Sequence, residues 1–183
     1  MDPFKDIITG CVKGQRGAQE KLYKKFSGTL FAICLRYSKN RMEAEDILQE
    51  VFVKVYTHIH TYHFDGSFEG WLKRIAVNTS ITYYRKALKK QLEKDIDEGI
   101  AQLPDEAFGF DGDYTMEDML KCIEALPFGY RTVFNMYCIE GYKHKEIAEL
   151  LKIDINTSKS QLSRAKLHLQ NELNQLSHVS IIK

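Results

Sequence analysis

Thr157, Ser160, Gln161 and Arg164 recur three or four residues apart, which gathers two hydroxyls, an amide and a guanidinium on one side of a helix. Groups of these types hydrogen-bond to phosphate oxygens and base edges, so the chemistry on offer is recognition of nucleic acid rather than bond-making. Asn156 and Ser163 extend the same face, while Ile155, Leu162, Ala165 and Leu169 share the opposite one. Upstream, Ile147, Leu150 and Leu151 fall at helical spacing, and Ala148 leaves room for a partner helix. Lys152-Ile153-Asp154 breaks that run, with Asp154 suited to cap the helix that follows. Between Lys143 and Leu169 the spacing therefore predicts a helix-turn-helix whose outer face enters a DNA groove; the alternative is an ordinary helical hairpin with a solvated polar face.

Nothing comparable points to catalysis. The chain holds no nucleophile-base pair, no glycine-rich phosphate loop and no metal-ligand spacing, so neither an enzyme nor a cofactor is expected. His58, His60 and His63 invite a metal reading, but no carboxylate or thiolate completes a set at ligand spacing, and no metal is expected there. Cys11, Cys34, Cys122 and Cys138 form no CxxC pair, and three of them lie in apolar helical patterns, which predicts buried free thiols in a reducing compartment. No apolar run reaches the length of a membrane span and the N-terminus lacks the core of a signal peptide, so a cytoplasmic protein without membrane insertion is expected.

The elements that must position the polar face read as helices almost throughout. Pro3 suits a first helical position after Asp2, and a helix is expected to about Lys13, where Gly14 and Gly17 interrupt. Leu22, Tyr23 and Phe26 continue an apolar stripe; Leu30, Phe31, Cys34 and Leu35 start another. Asn40 is suited to cap a long helix carrying Ile47, Leu48, Val51, Phe52, Val55 and Ile59. Asp65-Gly66-Ser67 closes a loop, and the helix from Phe68 is expected to about Leu88, with Trp71 in the core rather than serving as a platform for a base. A second helical unit runs from Met116 to Ala125, breaks at Leu126-Pro127, and resumes through Tyr130, Val133, Phe134 and Tyr137 to a turn at Gly141.

The formal net charge of +1 conceals a segregation that bears on partners. Lys plus Arg against Asp plus Glu is 14 against 9 over residues 1–87, 3 against 10 over residues 88–118, and 9 against 6 over residues 119–183. Two basic blocks flanking an acidic one suit a protein that touches nucleic acid twice with a segment between held off it. The expected fold is all-α: two small helical domains, 1–88 and 116–183, joined by an acidic flexible linker, 89–115.

Three stretches resemble the extracytoplasmic-function group of bacterial sigma-70-type sigma factors. Ala44-Glu45-Asp46-Ile47-Leu48-Gln49-Glu50-Val51-Phe52 is similar to that family's core-polymerase-binding helix. Phe68 with Trp71-Leu72-Lys73-Arg74-Ile75-Ala76-Val77-Asn78 resembles its minus-10 reading and melting helix. Leu126-Pro127, Tyr130 to Phe134, Glu140-Gly141-Tyr142, Glu146-Ile147-Ala148 and Thr157 to Ala165 resemble its minus-35 reading domain.

The resemblance implies a subunit that binds core RNA polymerase and directs promoter-specific initiation. Asp46, Gln49, Glu50 and Phe52 are then expected to meet the beta-prime clamp helices, with Phe52 either an exposed anchor or a core residue. Tyr62, Phe64, Lys73, Arg74, Asn78, Ser80, Thr82, Tyr83, Arg85 and Lys86 are expected at the minus-10 element, where aromatics among hydroxyls and basic groups suit unstacked single-stranded bases. The loop through His58-Ile59-His60-Thr61-Tyr62-His63 coincides with the one that cradles a flipped base in the family. Thr157, Lys159, Ser160, Gln161, Ser163 and Arg164 are expected at the minus-35 element. Implied partners are promoter DNA, the polymerase beta-prime clamp helices and beta flap, and an anti-sigma factor. The acidic linker either occupies a basic polymerase channel or is a solvated spacer.

The chain departs from the family pattern at Thr82, where an acidic residue is common, at Lys152 for glycine, Ser158 for valine and Gln161 for arginine. Ser158 is expected to loosen the packed face slightly, and Gln161 to shift preference from guanine toward adenine. A stand-alone helix-turn-helix regulator, binding duplex operators without polymerase, is the competing reading.

Overall fold

A computed structural model describes residues 3–92 and 114–180, and every regular element among them is helical. The chain divides into two compact units, Met1–Gln91 and Leu92–Lys183. The expected linker falls over residues 93–113 outside the described residues; residues 89–92 instead continue the preceding helix.

The first unit contains α1 (Lys5–Val12), α2 (Arg16–Arg36), α3 (Arg41–His58), a 3-10 turn at Ile59–Thr61, and α4 (Phe68–Leu92). Helix α1 starts two residues beyond Pro3, which lies in a turn. Gly14 takes φ 70° after α1, and Gly10 lets α1 and α2 touch: a Cβ there would stand 2.5 Å from that of Ala18. Asn40 caps α3 as its type predicts, its side-chain oxygen accepting the Glu43 amide at 2.9 Å. Leu22, Leu30, Ile47, Val51, Val55, Leu72 and Ala76 are buried where these helices cross.

One end of this core is aromatic. Phe68, 1% exposed, lies 5.9 Å from Phe26, 5.1 Å from Tyr62 and 5.8 Å from Trp71, ring centroid to ring centroid. The Tyr62 hydroxyl donates to the Gly66 carbonyl at 2.8 Å, tying the loop that precedes α4 back onto this cluster. Phe64 sits inside that loop at φ 61°, a left-handed conformation uncommon for a bulky residue, with its ring exposed.

The second unit contains α5 (Met116–Ala125), α6 (Phe128–Phe134) continuing through a π-helical turn at Asn135–Ile139, α7 (His144–Leu151) and α8 (Ile155–Ser180). Thr115 and Asp118 form a capping box that starts α5, and the Thr115 hydroxyl and backbone N–H, both donating to Asp118 Oδ2, hold that carboxyl below its usual range. The π turn is closed by Glu140 N–H donating to the Asn135 carbonyl at 3.0 Å. That extra residue rotates the register, so Tyr137, expected on the apolar stripe, faces outward and is 40% exposed.

The helix-turn-helix forms across α7 and α8, with Ile147, Ala148, Leu151, Leu162, Ala165 and Leu169 buried between them and their neighbours. Asp154 accepts the Asn156 amide at 2.7 Å, as its position predicts. Ile155 departs from expectation: as the first residue of α8 it projects beyond the packed face and is 41% exposed. Lys152 ends α7 at φ 60° and ψ 43°, the left-handed cap where glycine carries no Cβ penalty. Lys152→Gly is expected to stabilise the second unit by about 1 kcal/mol in urea denaturation. An unchanged or lower midpoint would show that the lysine's geometry carries no strain.

Candidate nucleic-acid interface

In the first unit, α4 sets Asn78 and Thr82 one turn apart on a single face. Asn78 is exposed, and the half-buried Thr82 donates its hydroxyl back to the Asn78 carbonyl at 2.9 Å. These two residues line a groove of about 360 Å³ together with Trp71, Ile75, Thr79, Lys54, His58 and Thr61. Trp71 is therefore only half in the core: it stacks on Phe68, with ring planes 14° apart, and also forms one wall of the groove. The Lys54 ammonium bridges the groove floor, 2.8 Å from Glu50 and 3.3 Å from the Thr79 hydroxyl. His58 donates Nδ1–H to the Lys54 carbonyl at 2.9 Å, since a carbonyl can only accept, and the neutral ring then carries its acceptor on Nε2. An aromatic wall, an amide, hydroxyls and an ammonium around a base-sized depression can stack on and hydrogen-bond a single unpaired base.

Lys73 and Arg74 are exposed on the first turns of α4, and Lys73 pairs with Glu69 at 2.9 Å. Arg85 is half-buried and Lys86 exposed. Three expected members of this face lie elsewhere. Ser80 is fully buried and spends its hydroxyl on the Ala76 carbonyl at 2.8 Å, which removes it from any surface. Tyr62 is 7% exposed, its ring in the aromatic cluster and its hydroxyl on Gly66, so it supports the loop rather than meeting a base. Tyr83 projects about 100° round the helix from Thr82, and its phenol is pushed up by burial and, to a lesser degree, by the charges of Glu43, Asp46 and Glu50. Among the described residues no group of three or more His, Cys, Asp or Glu side chains is placed to hold a metal ion.

On the outer face of α3, Asp46 and Gln49 are exposed and Glu50 is half-buried. Phe52 is a correction to the expected anchor: it is 4% exposed, packed 4.7 Å from Tyr23 and 5.8 Å from Tyr56. The aromatic exposed beside the acidic edge comes from α2 instead. Tyr23, 48% exposed, opens a groove of about 400 Å³ also lined by Phe31, Arg41, Glu45, Leu48 and Gln49. No signal within α3 identifies Tyr23, because the pairing depends on how α2 crosses it.

In the second unit the outer face of α8 shows Lys159 exposed, and Thr157, Gln161, Ser163 and Arg164 half-buried. Ser160 is a second buried hydroxyl: 7% exposed, it donates to the Thr157 carbonyl at 3.1 Å and leaves the surface to its neighbours. Arg164 Nη1 donates to the Tyr130 hydroxyl at 3.4 Å, a long bond that steadies the guanidinium against α6. Ser158 is wholly buried, and its hydroxyl meets His144 Nδ1 at 2.9 Å across the turn. It bonds where it was expected only to loosen the packing.

Cys11, Cys34 and Cys122 are buried as expected, and burial pushes the Cys34 thiol up to about 11. Cys138 is exposed, carried outward by the π turn. No described helix is long and apolar enough to cross a membrane.

Two family profiles match in chain order: Sigma-70 region 2 over residues 22–90, and Sigma-70, region 4 over residues 116–169. The chain is 30% identical to the ECF RNA polymerase sigma factor SigW of Bacillus subtilis, covering 94% of this chain and 98% of that one. It is 25% identical to the RNA polymerase sigma-H factor of Pseudomonas aeruginosa over 93% of each. With the ECF RNA polymerase sigma factor SigE of Mycolicibacterium smegmatis it shares 27% identity over 84% of its length, spanning 61% of that relative. Among solved structures, the sigma factor RpoE bound to the anti-sigma factor NepR from Bartonella quintana matches with a TM-score of 0.47 and 22% identity, over 85% of this chain and 96% of that one.

Proposed function

The chain belongs to the extracytoplasmic-function group of sigma-70-type RNA polymerase sigma factors, and from that premise we propose how its surfaces divide the work of promoter-specific initiation. As a sigma factor it directs transcription from defined promoters rather than acting as a stand-alone operator-binding regulator. Residues 1–88 serve core-polymerase binding and minus-10 recognition with melting, residues 116–183 serve minus-35 recognition, and residues 89–115 tether the two. Catalysis of RNA synthesis stays with the polymerase.

The observation that carries the minus-10 assignment is the groove bounded by Trp71, Asn78 and Thr82. It offers a stacking wall and an exposed amide to an unstacked base, with Lys73, Arg74, Arg85 and Lys86 to meet phosphates and Phe64 held outward on the neighbouring loop. Asp46, Gln49 and Glu50, with Tyr23 now in the place expected for Phe52, form the docking edge for the beta-prime clamp helices. Thr157, Lys159, Gln161, Ser163 and Arg164 read the minus-35 duplex. The beta flap and an anti-sigma protein complete the partners, and the site of action is the cell interior, where the polymerase works.

Run-off transcription with core enzyme on genomic DNA, followed by mapping of start sites, tests the assignment. Defined starts that depend on this chain are the expected result, and their absence overturns it. Within that reading, Gln161, whose Oε1 is buried without a hydrogen-bond partner in this structure, turns its amide outward to pair with adenine N6 and N7 opposite it, whereas an arginine would seek guanine O6 and N7. Selection from random duplexes is expected to return adenine there by about tenfold over guanine. A strict guanine requirement is the outcome that rules it out.

A further inference from the structure

Three separate pieces of the second unit meet at His144. It is the first residue of α7, its ring stacks on Tyr137 of the π turn at 4.6 Å between centroids with planes 23° apart, and its Nδ1 lies 2.9 Å from the hydroxyl of Ser158 in the first turn of α8. Ser158 is 0% exposed, so its hydroxyl has no recourse to water. The contact is insensitive to the charge on the ring: a neutral imidazole protonated on Nε2 accepts from Ser158, and an imidazolium donates Nδ1–H to it. Ile147, Leu151 and Leu162 are buried where α7 and α8 meet, apolar packing that has no hydrogen-bond direction with which to oppose sliding or rotation. A directional bond at the open end of the pair opposes both. Ser158 also lies one residue from Thr157 and one turn from Gln161, two of the groups proposed to read the duplex.

We propose that the His144–Ser158 hydrogen bond, braced by Tyr137, sets the pose in which α8 presents its outer face, making His144 and Ser158 positioning residues for minus-35 discrimination. Neither side chain needs to touch DNA. The inference rests on the reading of this unit as the minus-35 reader, and on Ser158 supplying an oriented bond where an apolar residue would supply only volume.

The test uses the full chain with core polymerase and compares initiation from a promoter with its selected minus-35 sequence against one with that sequence scrambled. His144→Phe and Ser158→Val each strip the partner of its bond, and each is expected to lower the selectivity ratio by about tenfold. The double variant replaces the polar pair by an apolar one and is expected to recover most of that loss; His144→Asn, which keeps a polar atom near the place of Nδ1, should retain it. Initiation by the wild-type chain on the selected promoter separates the two readings: its failure strikes the function, whereas its success with independent, multiplying effects of the single substitutions strikes only this inference. Should Ser158→Val fail to fold, His144→Asn and His144→Phe decide alone, and equal selectivity in the two overturns the proposal.

Discussion

The double substitution Asp46→Lys with Glu50→Lys is expected to weaken association with core polymerase by at least about a hundredfold, read by fluorescence titration or by co-migration on gel filtration. Both carboxylates lie along the outer face of α3, Asp46 exposed and Glu50 half-buried, so reversal places two like charges against any basic partner helix. Folding should be spared. The internal pair lost is Glu50 with Lys54, at 2.8 Å, both partners more than a third exposed; such pairs contribute about 0–1 kcal/mol. The interfacial penalty therefore dominates, and a thermal midpoint close to wild type is part of the expected result. Undiminished binding by the double variant would remove this edge from the polymerase contact and leave the neighbouring groove around Tyr23 and Phe31 as the docking surface.

The second large effect falls on stability. Phe68→Ala is expected to cost about 3–5 kcal/mol, because it empties the centre of an aromatic cluster that includes Phe26, Tyr62 and Trp71. That is a large share of the total stability of a domain this size, roughly 5–15 kcal/mol. The chain's single tryptophan stacks directly on Phe68, so its fluorescence during urea unfolding reports the loss at the place where it occurs. A change below about 1 kcal/mol would mean that the cavity collapses without cost and that the cluster does not hold the loop before α4.

Much of the fold was legible because local rules and tertiary packing agree. Asn40 and Asp154 cap where their types and positions predict, and Met116 to Ala125 forms the helix that its Thr115 cap and the Leu126-Pro127 break delimit. The exceptions share a cause. Periodicity assigns a residue to a side of its helix, but not to the angle at which the next helix crosses. Phe52 was thus indistinguishable from an exposed anchor until α2 placed Tyr23 over it. Ser80 and Ser160 read as ligand-facing hydroxyls, yet each satisfies itself on a carbonyl of its own helix, a choice open to any helical serine. The π turn at Asn135–Ile139 inserts a step that no spacing rule anticipates, and Tyr137 and Cys138 within it face outward.

The candidate site was legible in part for the same reason. Asn78, Thr82, Lys73 and Arg74 follow from one helix and its resemblance. Lys54, His58 and Thr61 come from the end of α3 and the 3-10 turn, and join the groove only once those elements lie beside α4. Spacing shows the histidine run only as three imidazoles, whereas the fold orients His58 on the Lys54 carbonyl.

The positive backbone torsion of Phe64 has an entropic corollary. With the Tyr62 hydroxyl anchored on Gly66, the Tyr62 ring 5.2 Å from that of Phe64 and the Phe64 φ at 61°, the backbone beneath this exposed ring is confined before any ligand binds. Under the proposed minus-10 reading, little backbone freedom at this position remains to be lost on binding, so the ordering cost of capture falls.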